Sequence, residues 1–377
     1  MTAAPRVLFY VQHLVGIGHL KRASVIVRAM LRRGIDVTVV AGGASVPEVD
    51  FGDARLARLP AVHARDVESY TLVNDHGHRP GPIFWWRRRR KLLDLFDEVA
   101  PDAVVVDMFP FGRLQFRREL VPLMIAAKRR GCIRFSSMRD VVQPRQQAEG
   151  NEKMIALAER YLDRLLIHGD PSLLTLDRSL PAVRRISARL EYTGYVVDEM
   201  PAASPQRAVI VSAGGGAVGA DLLRTALAAR PFTRYRDEPW RLLCGLNCDA
   251  RDVEALRAAA APGVIVEQHR NDFPALLRSA LVSVSQAGYN TTMELFAARC
   301  PSVLVPFAEA RETEQRERCR AIAERGLARV IDDPTPRSLA AAIDEAQRPP
   351  DDVRIDISGA ARTAEIVHDA IAQRGSR

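Results

Sequence analysis

The 377-residue chain contains no run of about 18 apolar residues, the length a transmembrane helix needs. Its start, Met1 to Val15, has no basic segment leading into a long apolar stretch, so neither a membrane span nor a secretory leader is expected. Cysteine is scarce. Cys132, Cys244, Cys248, Cys300 and Cys319 are scattered, odd in number and without the paired C-x-x-C spacing of a zinc site. A dense disulfide framework is excluded with it, and a reducing, cytoplasmic setting follows. No repeat of solenoid length occurs, and no metal site or cofactor is called for.

What is present is an ordinary globular composition, 47% hydrophobic and 27% charged, in a chain long enough for about two domains at ~150 residues each. The formal charge is +8 and the pI about 9.6. That balance favours anionic partners, among which phosphates, nucleic acid and acidic lipid head groups are not separated by charge alone.

Short Val/Ile/Leu runs alternate with amphipathic segments in the first half. Val7-Leu8-Phe9-Tyr10-Val11 is followed by a helical stretch from Leu20 to Arg33 and then Val37-Thr38-Val39-Val40, which is βαβ grammar. The pattern continues through helices near Trp86 to Val99 and Arg117 to Arg130, with strands at Ala103 to Val106, near Ile133 and at Leu165 to Ile167. Strands this apolar belong to a parallel sheet covered on both faces. Between Gly194 and Arg207 the periodicity stops and two prolines enter, the mark of a linker. A second α/β series then runs through strands at Ala208 to Ser212, Arg241 to Cys244, Val264 to Glu267, Leu281 to Val284, Ser302 to Val305 and Ala328 to Ile331, ending in a helix from Ile357 to Gln373. The expected domains are 1–198 and 199–377, with the last helix free to pack back on the first.

Three loops sit between a strand and a helix, where backbone N–H groups can meet an anion. Gly16-Ile17-Gly18-His19 is the first: the glycines admit a close ligand, and a neutral His19 at the carboxyl end of the strand can take a hydroxyl proton. A helix-capping histidine is the structural alternative. Gly214-Gly215-Gly216-Ala217-Val218-Gly219 formally satisfies G-x-G-x-x-G. The acidic residue expected after the second strand of a dinucleotide site is missing, so phosphate cradling is retained and NAD is not. The third loop is Ser285 to Glu294. Here Gly288 permits close approach, Asn290, Thr291 and Thr292 offer caps and phosphate donors, and Glu294 can accept both hydroxyls of a ribose. Thr291-x-x-Glu294 equally fits a capping box.

These residues resemble the donor half of glycosyltransferase family 28, which includes the GlcNAc transferase of peptidoglycan lipid-intermediate synthesis. The likeness is carried by the segment from Ser285 to Leu295, by Pro306-Phe307 and by Glu314-Gln315. It implies a GT-B fold: two Rossmann-like, doubly wound α/β domains with an interdomain cleft, an acceptor-binding N-terminal one and a nucleotide-sugar-binding C-terminal one. It also implies that Glu294 binds ribose and that Glu314 and Gln315 contact the sugar. Ala287 stands where the family has Ser, and Glu314 where it has Gln, so the identity of the sugar does not carry across. In the first half Gly16 to His19 resembles the family's glycine-rich loop, while Asp107 to Arg113, Ser137 to Asp140 and His168 to Pro171 look like an uncharacterised bacterial branch of predicted glycosyltransferases.

The implied reaction moves a hexose or N-acetylhexosamine from a nucleotide-diphosphate sugar, UDP-sugar first among candidates, to an acceptor hydroxyl of a small molecule, glycan or lipid-linked substrate. No Asp-x-Asp motif, the usual metal-diphosphate clamp of the other major glycosyltransferase fold, is present. Leaving-group charge then falls to helix N-termini and to Arg270, transfer is metal-independent and inverting, and His19 is the base with Asp107 orienting it or the acceptor. A nucleotide-sugar hydrolase or 2-epimerase on the same fold is the rival enzyme. From another class, Trp85-Trp86-Arg87-Arg88-Arg89-Arg90-Lys91 interleaves basic and aromatic residues and could meet a membrane surface or nucleic acid. The structural alternative is the solvated start of a helix packed on a sheet. Nucleic acid is not the expected partner; peripheral contact with the inner membrane face is, should the acceptor be lipid-linked.

Overall fold

The computed structural model describes residues 4–14, 16–65, 71–144, 148–214, 219–245, 248–268, 270–307 and 313–375. They form two compact units, residues 1–196 with 356–377, and residues 197–355.

The first unit runs β1 (Arg6–Val11), α1 (Gly18–Arg32), β2 (Asp36–Ala41), β3 (Arg55–Arg58), an antiparallel pair β4 (Val62–Ala64) and β5 (Leu72–Asn74), then α2 (Pro82–Val99), β6 (Ala103–Asp107), α3 (Arg117–Arg130), β7 (Ile133–Arg139), α4 (Ala148–Tyr161), β8 (Arg164–His168), α5 (Leu176–Ser179) and β9 (Leu190–Tyr192). Seven strands make a parallel sheet in the order β3-β2-β1-β6-β7-β8-β9. Alternation places Leu8, Tyr10, Val104 and Val106 in one core and Val7, Phe9, Ala103 and Val105 in the other. All eight are fully buried, which is why these strands carry no polar face.

Helix ends follow local chemistry. Pro82 opens α2 where a proline's missing N–H costs nothing, and Gly131 closes α3 in the left-handed conformation at φ 78°.

The second unit runs β10 (Val209–Ser212), α6 (Ala220–Ala229), β11 (Trp240–Leu243), α7 (Ala250–Ala259), β12 (Val264–Glu267), α8 (Phe273–Ser279), β13 (Val282–Gln286), α9 (Tyr289–Ala298), β14 (Ser302–Val305), α10 (Glu314–Glu324), β15 (Arg329–Val330) and α11 (Pro336–Glu345). Its six parallel strands take the order β12-β11-β10-β13-β14-β15. The strand expected at Ala328 to Ile331 shrinks to two residues because it lies at the sheet edge and pairs only with β14.

The chain then returns. Helix α12 (Gly359–Gly375) packs on α1, sending Ala364, Val367 and Ala370 into the core that holds Val27 and Met30. A β-carbon on Gly359 would collide with Gly194 O and the Tyr195 carbonyl, so only glycine lets the chain cross there. The start of the expected linker is therefore not loose: Tyr195 is fully buried, donates its N–H to Asp356 O, and Val196 bridges Ser358.

Strand order reverses between β1 and β6 in one sheet and between β10 and β13 in the other. In doubly wound sheets ligands bind at the carboxyl ends of strands flanking such a reversal. Those ends carry residues 12–14, 16–19 and Asp107 in the first unit, and Gly214 and Gln286 to Glu294 in the second.

Candidate active site

In the first unit β6 delivers Asp107 beside the start of α1. His19 Nδ1 lies 2.7 Å from Asp107 Oδ2, and Arg22, one turn further along α1, donates from Nη2 to Oδ1 at 2.6 Å. Asp107 and Arg22 are each 1% exposed. Burial alone would raise the Asp107 pKa, but His19, Arg22 and Arg113 outweigh it and hold the carboxyl well below its usual range. An ionised Asp107 accepts the Nδ1–H of His19, which assigns the tautomer and leaves the Nε2 lone pair available. Burial above all, together with Arg113 and Arg139 and against the opposing charge of Asp107, lowers His19 to about 3. The imidazole is thus neutral at physiological pH, as a base must be. It is no helix cap: the N-cap of α1 is Ile17, without a side-chain cap bond. A β-carbon on Gly16 would meet nothing within 4 Å, so the fold alone does not demand glycine there, and Gly18 is the first residue of the helix.

Past Asp107 the chain turns sharply. Met108 takes a left-handed φ of 56°, strained for a non-glycine residue, and its carbonyl accepts Gly112 N–H at 2.7 Å. This turn swings Arg113 back under β1, where Nε donates to Gln12 O at 2.8 Å.

Beneath lies a network that sequence reasoning missed. The run Trp85 to Lys91 is divided: Trp85 and Arg88 are buried, while Trp86 and the other basic residues are exposed. Arg88 forks onto Glu119 at 2.8 Å through both Nε and Nη2, and also reaches Gln12 Oε1 and the carbonyls of Gly42 and Pro60. Tyr10 donates to Glu119 at 2.6 Å. One arginine from a basic run therefore ties the loop after β1 to α2 and α3. Its only trace in the sequence is the helical period, which turns Trp85, Arg88 and Leu92 to one face.

In the second unit β13 ends at Gln286, and α9 begins at Tyr289 with Gly288 as N-cap. Thr291 thus lies inside the helix, and the Thr291-Glu294 capping box is absent. Thr292 is fully buried and spends its hydroxyl on Gly288 O at 2.9 Å, so its side chain is no phosphate donor. Asn290, Thr291 and Glu294 are half-buried on the opening turns of α9. Gly288 has nothing within 4 Å of a would-be β-carbon. Gly214 adopts φ +73° and Gly219 φ +142°, and a β-carbon on Gly219 would sit 2.5 Å from that of Ala213. Gly215 and Gly216 lie outside the described residues.

Arg270 donates to both oxygens of Asp272 and to Glu267, at 2.7 to 2.8 Å. Glu267 also pairs with Arg241 at 3.0 Å, so two guanidiniums and two carboxylates balance and Arg270 adds no net positive charge, contrary to the expectation that it offsets a leaving group. Glu314 opens α10 and pairs with Arg318 at 2.8 Å, while Gln315 accepts Phe307 N–H at 2.9 Å. Arg318, not anticipated from sequence, is fully buried, lies 3.4 Å from Ala287 O and stacks over Tyr289. It joins the starts of α9 and α10. No cluster of metal ligands occurs among the described residues.

Known proteins share both the sequence pattern and the architecture. Residues 209–371 match the glycosyltransferase family 28 C-terminal domain. The UDP-N-acetylglucosamine--N-acetylmuramyl-(pentapeptide) pyrophosphoryl-undecaprenol N-acetylglucosamine transferase of Mesorhizobium japonicum is 25% identical over 334 residues, covering 86% of this chain and 83% of that one. Its namesake from Zymomonas mobilis is 26% identical over 335 residues, covering 84% and 77%. Among solved structures, Acinetobacter baumannii MurG superposes with a TM-score of 0.58 at 16% identity, covering 98% of this chain and 100% of that one. The calicheamicin glycosyltransferase CalG4 gives 0.59 at 18% identity, covering 99% and 95%. The shared architecture is the GT-B fold, and the chain is a family 28-like glycosyltransferase.

Proposed function

We propose that this enzyme transfers a hexose or N-acetylhexosamine from a UDP-sugar to an acceptor hydroxyl, without a metal ion and with inversion. The observation that carries the mechanism is the His19–Asp107 contact, with a neutral imidazole whose Nε2 lone pair is available. In the proposed step Nε2 takes the hydroxyl proton as the acceptor oxygen attacks the anomeric carbon; the carbon–oxygen bond to the diphosphate breaks, and UDP departs. A single displacement of this kind inverts the anomeric centre. Asp107 stabilises the imidazolium that forms.

The second unit supplies the donor site in this reading. The N-terminal end of α9, opened by Gly288 with open space around its Cα, suits a diphosphate. Glu294 takes the ribose hydroxyls, and Glu314 and Gln315 face the sugar. Arg318 holds that arrangement from below.

The acceptor is proposed to be lipid-linked, as the undecaprenol in the relatives' name suggests. Ile83 and Trp86, 69% and 48% exposed at the start of α2 beside Arg87, Arg89, Arg90 and Lys91, suit an anionic membrane surface. Co-sedimentation with anionic vesicles is expected and should weaken in Ile83→Ser/Trp86→Ser.

Incubation with UDP-sugars in EDTA tests the chemistry, with product configuration read by proton NMR. Full turnover and inverted product are expected; strict metal dependence, or no thermal shift with any nucleotide, overturns the proposal.

A further inference from the structure

Arg113 belongs to a motif that the proposed chemistry leaves unused. The residue is 8% exposed, yet among the described residues it has no carboxylate within ion-pair distance. Its bonds go to two neutral carbonyls, Gln12 O through Nε at 2.8 Å and Gly112 O through Nη1 at 3.0 Å. Nη2 has no hydrogen bond among the described residues, and it is not one of the fully buried unsatisfied atoms, so it keeps some contact with solvent.

The nearby anion does not pair with it. Asp107 is the carboxylate whose charge reaches Arg113, but its oxygens bond His19 and Arg22, and no ion pair joins it to Arg113. Arg22 and Arg139 act on Arg113 as like charges, and the same Arg113 and Arg139 charges reach His19. A buried guanidinium with neutral partners and cationic neighbours carries a desolvation cost that a bound anion would offset.

We infer that the acceptor carries an anionic group, a carboxylate or a phosphate, close to the hydroxyl it gives up, and that Arg113 recognises that group through Nη2. This rests on the reading of His19 as the base. It makes Arg113 the residue that sets acceptor specificity: a carboxylate or phosphate on Nη2 fixes the hydroxyl against Nε2 of His19, and a neutral acceptor leaves the guanidinium unpaired.

The experiment titrates sodium acetate, phosphate and pyrophosphate into the full-length protein at constant ionic strength, following the His19 imidazole proton by NMR, assigned with His19→Asn. A saturable shift is expected with at least one anion. Arg113→Gln should weaken it by about tenfold or more, the worth of a charge-assisted hydrogen bond, and Arg113→Lys by less. A response to acetate alone assigns a carboxylate; a response to the phosphates alone assigns a phosphate. No saturable response, or equal binding by wild type and Arg113→Gln, overturns the inference. Should Arg113→Gln fail to fold by circular dichroism, binding unchanged in Arg113→Lys overturns it instead, because a single ammonium cannot hold Gln12 O and Gly112 O and also reach the anion as Nη2 does. Nucleotide binding is scored separately by thermal shift, so loss of the donor reading and loss of this one are distinguishable.

Discussion

Asp107→Asn separates the two jobs that Asp107 performs. The amide keeps the shape but loses the charge, so its NH2 can face Nδ1, and the imidazole proton then moves to Nε2, where the base is needed. General-base catalysis is worth about 10²–10⁴ in rate, or roughly 3–5 kcal/mol at 1.36 kcal/mol per decade. Turnover should fall by that factor while the affinity for UDP-sugar, which the proposed function assigns to the other unit, stays unchanged. The second job is structural. Arg22 is 1% exposed and would keep its charge without its 2.6 Å partner, and breaking a buried pair costs about 3–5 kcal/mol. Single-turnover UDP release at temperatures where circular dichroism shows the variant folded separates the two losses. The wild-type pH profile adds an independent check. With His19 held to about 3, turnover should stay flat from pH 8 to 5 instead of halving near 6.5, the ordinary histidine value. An Asp107→Asn rate within threefold of wild type, or a wild-type midpoint near 6.5, would refute the assignment of His19 and Asp107 as base and orienter.

Glu119→Gln removes the charge that two arms of Arg88 share in a fully buried site, and should cost about 3 kcal/mol or more, seen as a drop of roughly 6 °C or more in melting of the first unit. Gly219→Ala and Gly288→Ala should behave oppositely: the first meets Ala213 at 2.5 Å and a φ of +142°, so it lowers stability, whereas the second has open space and φ −62°, so it keeps wild-type melting while weakening UDP binding, measured by calorimetry. Stability should also fall with acid. Burial and neighbouring cations lower His13 to about 4, and burial and Arg22 lower His168 well below 6.5. The unfolded state therefore binds more protons below pH 6.5, and stability present above that pH is lost as pH drops towards 4. The His13 part should come to about 3 kcal/mol, to be read by scanning calorimetry, and His13→Gln should flatten the pH dependence by that amount.

The sheets were legible because buried parallel strands leave uninterrupted apolar runs. Short edge elements carry no such run, and those were the ones that escaped: β3 is largely exposed with the sequence Arg-Leu-Ala-Arg, and β9 is three half-buried residues. The α9 loop was legible as a strand-to-helix connection, but its capping was not. Thr291-x-x-Glu294 has capping-box spacing, yet Gly288 takes the N-cap and starts the helix two residues earlier than Thr291. Capping depends on where the strand before it ends, and β13 runs on to Gln286. Arg270 illustrates the opposite error. Its neighbour Asp272 was visible in sequence, but the bond to Glu267 requires the turn after β12 to fold back.

Buried arginine is the feature that composition conceals most completely. A +8 chain invites a picture of solvated charge, yet Arg22, Arg88 and Arg318 are among the largest fully buried side chains. Each is paired with one carboxylate, Asp107, Glu119 and Glu314 in turn, and each lies against the carboxyl end of a strand or the start of a helix that carries a proposed site residue. Hydrophobic residues of similar volume could fill such places at equal or lower cost, so stability alone does not account for the three pairs. Orientation does: a guanidinium fixes several acceptors at once, and here those acceptors are the Asp107 carboxylate, the Gly42 and Pro60 carbonyls, and Glu314 with Ala287 O. Arg113 differs from all three because its hydrogen-bond partners among the described residues are neutral carbonyls alone. A protein that matches those three buried guanidiniums to carboxylates of its own leaves this one, next to the proposed base, for an anion that arrives with the substrate.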